Sequence, residues 1–145
     1  MVTSVNHETI KSLPAKIVLI EDNLAVSQWI SEKIDNFENL KLAGSLGTHE
    51  GAFEMIKKEK PEFVILDIKL PDGSGLDILK NIREAKMDIT VMILTLNTQA
   101  KNSSLRMGAD YFFDKSMDTG ILVEKLKSFN RSINPSSINI GVRQK

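Results

Sequence analysis

The chain contains no cysteine, which excludes disulfides, thiol nucleophiles and cysteine-ligated zinc. Nor does it carry an excess of charge. Its 19 Lys and Arg balance 19 Asp and Glu, so the global positive field that nonspecific nucleic-acid binding needs is missing. No apolar run approaches the ~20 residues of a membrane helix. The N-terminal stretch MVTSVNHETIKSLP has no apolar centre, which argues against a signal peptide. There is no G-x-G-x-x-G and no Walker pattern. Neither His7 nor His49 belongs to a metal-spaced pair, and both are expected to face solvent. These absences lead to the expectation of a cytoplasmic protein without direct nucleic-acid or membrane contacts.

What is present is enough for one domain. The chain has 145 residues and is 41% hydrophobic, so it can bury a core of ordinary size. Residues 1–14 are polar, end in Pro14 and are expected to form a flexible extension. The domain itself is expected over 15–129, with 130–145 as a tail. Lys16-Ile17-Val18-Leu19-Ile20 is a short apolar run, followed by Val26, Trp29, Ile30, Ile34 and Phe37 at helical spacing. A weaker strand over 40–45 and a helix over about 50–60, stopped by Pro61, come next. Phe63-Val64-Ile65-Leu66 and Val91-Met92-Ile93-Leu94 are apolar without alternation, the pattern of strands covered on both faces. Leu76, Leu79 and Ile82 mark a helix after the loop Pro71–Gly75, and Leu105 and Met107 suggest another up to Gly108. Tyr111-Phe112-Phe113 is a last strand. Ile121, Leu122, Lys125, Leu126 and Phe129 give a last helix face. Strand then helix, five times over, implies a parallel sheet with helices on both faces.

In such sheets ligands bind beyond the carboxyl ends of the strands, near the point where the strand order reverses. The residues there are Glu21 and Asp22 after the first strand, Asp67 after the third, Thr95 after the fourth and Lys115 after the fifth. With strand order 2-1-3-4-5 the first and third strands are neighbours and three carboxylates crowd together. Crowded carboxylates repel one another. A hard dication resolves the conflict, and Mg²⁺ accepts one or two carboxylates together with phosphate oxygens. Asp67 is then a candidate nucleophile for an aspartyl phosphate. Lys115 supplies a point charge for a phosphoryl oxygen, and the Thr95 hydroxyl can donate to another.

The strings IVLIEDN, FVILDIKLPDGSGLDIL, VMILT and GADYFFDKS, in that order and spacing, resemble the receiver domain of two-component response regulators over residues 15–129. The resemblance implies a flavodoxin-like (βα)5 doubly wound sheet. It makes Glu21 and Asp22 the acidic pair that binds Mg²⁺ and Asp67 the phosphorylated residue. Lys69 falls where the family offers a backbone carbonyl to the metal. Thr95 matches the switch hydroxyl, Phe112 the switch aromatic and Lys115 the conserved lysine. The implied partners are a histidine kinase or histidine phosphotransfer protein, and a downstream protein on the face of the fourth helix, fifth strand and fifth helix. The implied activity is confined to the domain's own phosphorylation and dephosphorylation. Three positions depart from the family pattern. Ser116 stands where a cis proline is usual; a non-proline cis bond costs ~3 kcal/mol, so a trans bond and a different seat for Lys115 are open there. Leu96 replaces a small residue and could narrow access to Asp67. Phe112 replaces a tyrosine. Lys69 and Leu96 are expected at the rim of the site, where together they would shield the phosphate from water.

Plainer readings stand beside these. Asp22 or Asn23 could cap the next helix, and Asp67, Thr95 and Lys115 could each be an ordinary strand-end or solvated residue. Only their joint placement at four strand ends argues otherwise. Trp29 is expected to pack on its helix stripe, and the methionines to fill the core. Gly73 and Gly75 are expected to serve the loop turn, and Lys57 to Lys60 a solvated helix end. Two other functions compete with the switch. A haloacid-dehalogenase-like phosphatase or phosphotransferase also uses an aspartate nucleophile, but it needs a second acid where Lys69 stands. A degenerate receiver would act only as an interaction module. The residues after the last helix are too few for a helix-turn-helix domain, which favours a stand-alone regulator.

Overall fold

The structure, a computed structural model, describes residues 13–129. Most of the proposed N-terminal extension, including His7, and the proposed tail 130–145 lie outside the described residues. Seven strands and five α-helices follow one another in the described chain. They are β1 (Ala15–Ile20), α1 (Leu24–Asp35), β2 (Leu40–Leu46), α2 (Ala52–Glu59), β3 (Phe63–Leu66), β4 (Lys69–Leu70) and β5 (Gly73–Ser74). There follow α3 (Gly75–Glu84), β6 (Thr90–Thr95), α4 (Lys101–Arg106), β7 (Tyr111–Asp114) and α5 (Thr119–Ser128). A short 3-10 turn, Thr98–Ala100, leads into α4.

Five strands form one parallel sheet in the order β2-β1-β3-β6-β7. Counted over these five, the order is the expected 2-1-3-4-5. The unalternating runs are buried on both faces because each face has its own helical layer. Val18, Ile20, Val64, Leu66, Val91 and Ile93 point to one side, against Ala52 and Ile56 of α2 and Ile78, Leu79 and Ile82 of α3. Ile17, Leu19, Phe63, Ile65, Met92 and Leu94 point to the other, against Ile30 and Ile34 of α1 and Leu122, Val123 and Leu126 of α5. Successive strand residues face opposite sides, so both layers are filled by one run of sequence.

Several side chains differ from expectation. Trp29 stays 37% exposed on α1, with the Lys33 ammonium 5.2 Å from its ring centre, because Ile30 and Ile34 alone fill the buried stripe. Ile121 is 57% exposed, since α5 turns Leu122 and Val123 inward. Met117 is 78% exposed and fills no core. His49 is half-buried, its ring against Gly73. The segment expected as a plain loop is a small antiparallel ribbon, Lys69 pairing Ser74 and Leu70 pairing Gly73. Asp72 at its tip accepts the backbone N–H groups of His49 (2.6 Å) and Glu50 (2.9 Å). These two bonds hold the Asp72 carboxyl below its ordinary range.

Candidate functional site

The site lies where β1 pairs β2 on one side and β3 on the other. In-register pairing of Ile20 with Leu66 brings the next residues, Glu21 and Asp67, side by side. The Asp67 N–H donates to the Ile20 carbonyl (3.0 Å), so the ladder runs on to the acid itself. Oxygens of Glu21, Asp22 and Asp67 all lie within 4.8 Å of one another. Glu21 and Asp67 are buried, and Asp22 is exposed at the rim.

Lys115 reaches into this group from the end of β7. Its Nζ donates to Glu21 Oε2 (2.9 Å) and Asp67 Oδ2 (2.5 Å). Burial opposes the charge on Lys115, but the hydrogen bonds it donates to Asp67 and Glu21 outweigh that, and the ammonium titrates above its ordinary range. For Glu21 the balance falls the other way. Burial raises its carboxyl, against the opposing pull of the Asn23 N–H and Lys115. Three carboxylates face one ammonium, and the buried Glu21 Oε1 has no hydrogen-bond partner. An all-oxygen donor set with surplus negative charge and an unpartnered buried oxygen fits a hard divalent cation of the Mg²⁺ kind.

A cleft of about 630 Å³ opens over these groups, lined by Asp22, Asp67, Lys69, Thr95, Leu96 and Lys115 among others. The fold thus brings together Glu21, Asp22, Asp67, Lys69, Thr95 and Lys115. Thr95 is buried at the end of β6, its Oγ1 accepting the Asn97 N–H (3.3 Å). The Lys69 N–H points back to Asp67 Oδ1 (3.4 Å). Leu96 lines the cleft and is 66% exposed. Phe112 is not brought into the cleft; it is half-buried and packs against the layer of α2 and α3.

The chain belongs to the response regulator receiver family. The family model described as response regulator receiver domain matches residues 17–127. The probable C4-dicarboxylate response regulator DctR of Bacillus subtilis is 28% identical over 92 residues, 63% of this chain and 41% of that protein. The nitrate/nitrite response regulator protein NarL of Escherichia coli is 24% identical over 115 residues, 78% of this chain and 53% of that protein. The chain therefore spans about half the length of the curated relatives it matches. Among solved structures, the BeF3-activated N-terminal receiver domain of Klebsiella pneumoniae RstA superposes with a TM-score of 0.69 at 27% identity, covering 80% of this chain and 98% of that one. The receiver domain of Thermotoga maritima CheB, at 21% identity and a TM-score of 0.70, shares the flavodoxin-like fold, covering 84% of this chain and 99% of that one. Receivers of two-component systems bind Mg²⁺ in an acidic pocket and interact with histidine kinases and effector domains, and this receiver has such an acidic group. No helix among its described residues is long and apolar enough to cross a membrane.

Several contributors gave no clear signal in the sequence. The Asn23 side chain caps α1 through the Val26 N–H (3.0 Å), as its residue type allows. The Asn23 backbone N–H also holds Glu21 Oε2 (2.9 Å), which ties the acid to the helix start. Gly75 is not a turn residue but the first residue of α3, where Ser74 is the cap. A Cβ there would collide with the Asp67 carbonyl group. The Lys115–Ser116 bond is trans, and Lys115 nonetheless reaches both acids.

Proposed function

We propose that this receiver accepts a phosphoryl group on Asp67 from a histidine kinase or histidine phosphotransfer protein. In the step, an Asp67 carboxylate oxygen attacks phosphorus, the new P–O bond forms, and the P–N bond to the donor imidazole breaks. Mg²⁺ held by Glu21, Asp22, Asp67 and the Lys69 carbonyl would neutralise charge on the carboxylates and on the incoming phosphoryl oxygens. Lys115 moves from ion pairing with Asp67 to pairing with a phosphoryl oxygen, so a positive charge stays at the reacting centre throughout. The Thr95 hydroxyl donates to a second oxygen. That motion pulls on the end of β6 and couples to Phe112, which sits opposite Ile93 in the neighbouring strand. The output is a changed surface on α4, β7 and α5 that selects a downstream protein, a two-state equilibrium biased by phosphate. The reading places the reaction in the cytoplasm and limits catalysis to the domain's own modification and its reversal.

The observation that carries this reading is the convergence of Glu21, Asp22 and Asp67 under a single lysine at one cleft. The test is incubation with a small phosphodonor and Mg²⁺, followed by intact mass. A gain of one phosphoryl group, absent in Asp67→Asn, is expected. No gain in the wild-type protein overturns the reading.

A further inference from the structure

The seat of Lys115 is built differently from what its neighbour Ser116 suggests. A serine leaves the chain after the lysine free about its backbone, whereas Lys115 must cross from the end of β7 to acids that close β1 and β3. The local hydrogen bonds show what restrains it. Asp114 Oδ1 accepts both the Ser116 N–H (2.9 Å) and the Ser116 hydroxyl (2.7 Å), closing a small ring around the residue between them. The Asp114 N–H donates to Asp118 Oδ2 (3.0 Å), and the Asp118 N–H returns to the Asp114 carbonyl (2.7 Å). Lys115 itself gives its N–H to the Thr95 carbonyl (2.9 Å) and its carbonyl accepts from the Thr119 hydroxyl (3.1 Å). Each backbone polar group from the Asp114 N–H to the Ser116 N–H thus has a partner, and the two side-chain acceptors are Asp114 and Asp118.

We infer that Asp114 is a positioning residue for Lys115: its side chain, gripping Ser116, fixes the backbone from which the lysine reaches Asp67 and Glu21. A lysine side chain has many rotamers to lose, and a wandering anchor would add the freedom of its backbone to that. Asx-type bonds of this kind hold a turn without help from the sheet ladder. Asp114 does not itself touch Asp67 or Glu21 in the hydrogen bonds of the site, so its influence on them runs through Lys115.

The inference rests on the phosphoacceptor reading for its consequence but not for its geometry, and the experiment separates the two. Lys115 is first probed with an amine-acylating reagent and peptide mass mapping. In the wild-type protein its side chain is only 11% exposed and doubly paired, so it labels slowly. Asp114→Ala is expected to speed Lys115 labelling several-fold relative to the other lysines. Asp114→Asn, which keeps the Oδ1 acceptor, is expected to restore the slow rate. Phosphoryl gain from a small phosphodonor is then expected to slow by about 10- to 100-fold in Asp114→Ala, the scale of a misplaced reacting group. Adding Lys115→Ala to that variant should cost little more, because groups acting as one unit are not additive. Ser116→Ala, which removes only the hydroxyl bond, should show the same effects in smaller measure and carries the test if Asp114→Ala does not fold. Unchanged Lys115 labelling in folded Asp114→Ala, or fully additive losses with Lys115→Ala, overturns the inference. Faster labelling in a protein that never gains phosphoryl upholds the positioning role and removes the phosphoacceptor reading instead.

Discussion

Substituting two glycines by alanine should have opposite effects, and the structure sets both signs. Gly75 opens α3 directly against the Asp67 backbone. A Cβ built there falls against the Asp67 carbonyl oxygen, 2.9 Å from the Asp67 carbonyl carbon and 3.1 Å from the Ile68 Cα. All three are backbone atoms, which have no rotamer by which to move aside. Relief requires shifting either the first turn of α3 or the Asp67–Ile68 peptide, and either shift pulls on the Gly75 N–H bond to the Ile68 carbonyl (2.7 Å). Overpacking of this kind costs about 2 kcal/mol, and a weakened backbone bond about 1 more. Gly75→Ala should therefore lose about 3 kcal/mol, a fall of about 12 °C in Tm for a domain of this size. Gly120, second residue of α5, has nothing within 4 Å of its would-be Cβ. Gly120→Ala should gain about 0.5 kcal/mol from helix propensity and a less free unfolded chain. Urea unfolding followed by far-ultraviolet circular dichroism measures both. A Gly75→Ala midpoint equal to wild type, or an equal loss in Gly120→Ala, refutes the close-approach argument.

Three other outcomes are expected. Lys115→Ala leaves Glu21 and Asp67 buried without their counter-charge and should cost about 3 kcal/mol in chelator-treated protein, part of it recovered when Mg²⁺ is added; urea midpoints with and without the ion decide this. Because burial holds the Glu21 carboxyl above its ordinary 4.5, the folded state binds that proton more tightly than the unfolded chain. Its contribution to stability should then fall as pH rises from 4.5 through the raised value, and Glu21→Gln should lack that slope when midpoints are compared across pH. Alanine at both Lys69 and Leu96, which flank the cleft, should shorten the lifetime of the aspartyl phosphate; an unchanged rate of phosphate loss removes their shielding role.

The unalternating runs at 63–66 and 91–94 were enough to call for a buried parallel sheet, because only strands covered on both faces lose their polar positions. The same runs pointed to the candidate site, since each is followed by a polar residue and the carboxyl ends of a parallel sheet's strands all fall on one edge. Glu21, Asp67, Thr95 and Lys115 were therefore legible as a group before any distance was known. Trp29 and Ile121 were misplaced because a helix stripe read from spacing is wider than the face that neighbouring elements cover. The bury-or-expose decision for them belongs to α1 and α5 as packed.

By itself the sequence determined the order of elements, the two-faced core and which side chains close the strands, for these depend only on local periodicity and chain order. Tertiary structure alone decided that Glu21 Oε1 is left unpartnered, that Gly75 must clear the Asp67 carbonyl, and that Asp114 holds the turn beneath Lys115. Those outcomes depend on strand register and on interatomic distances, and a pattern of residue types carries no measure of either.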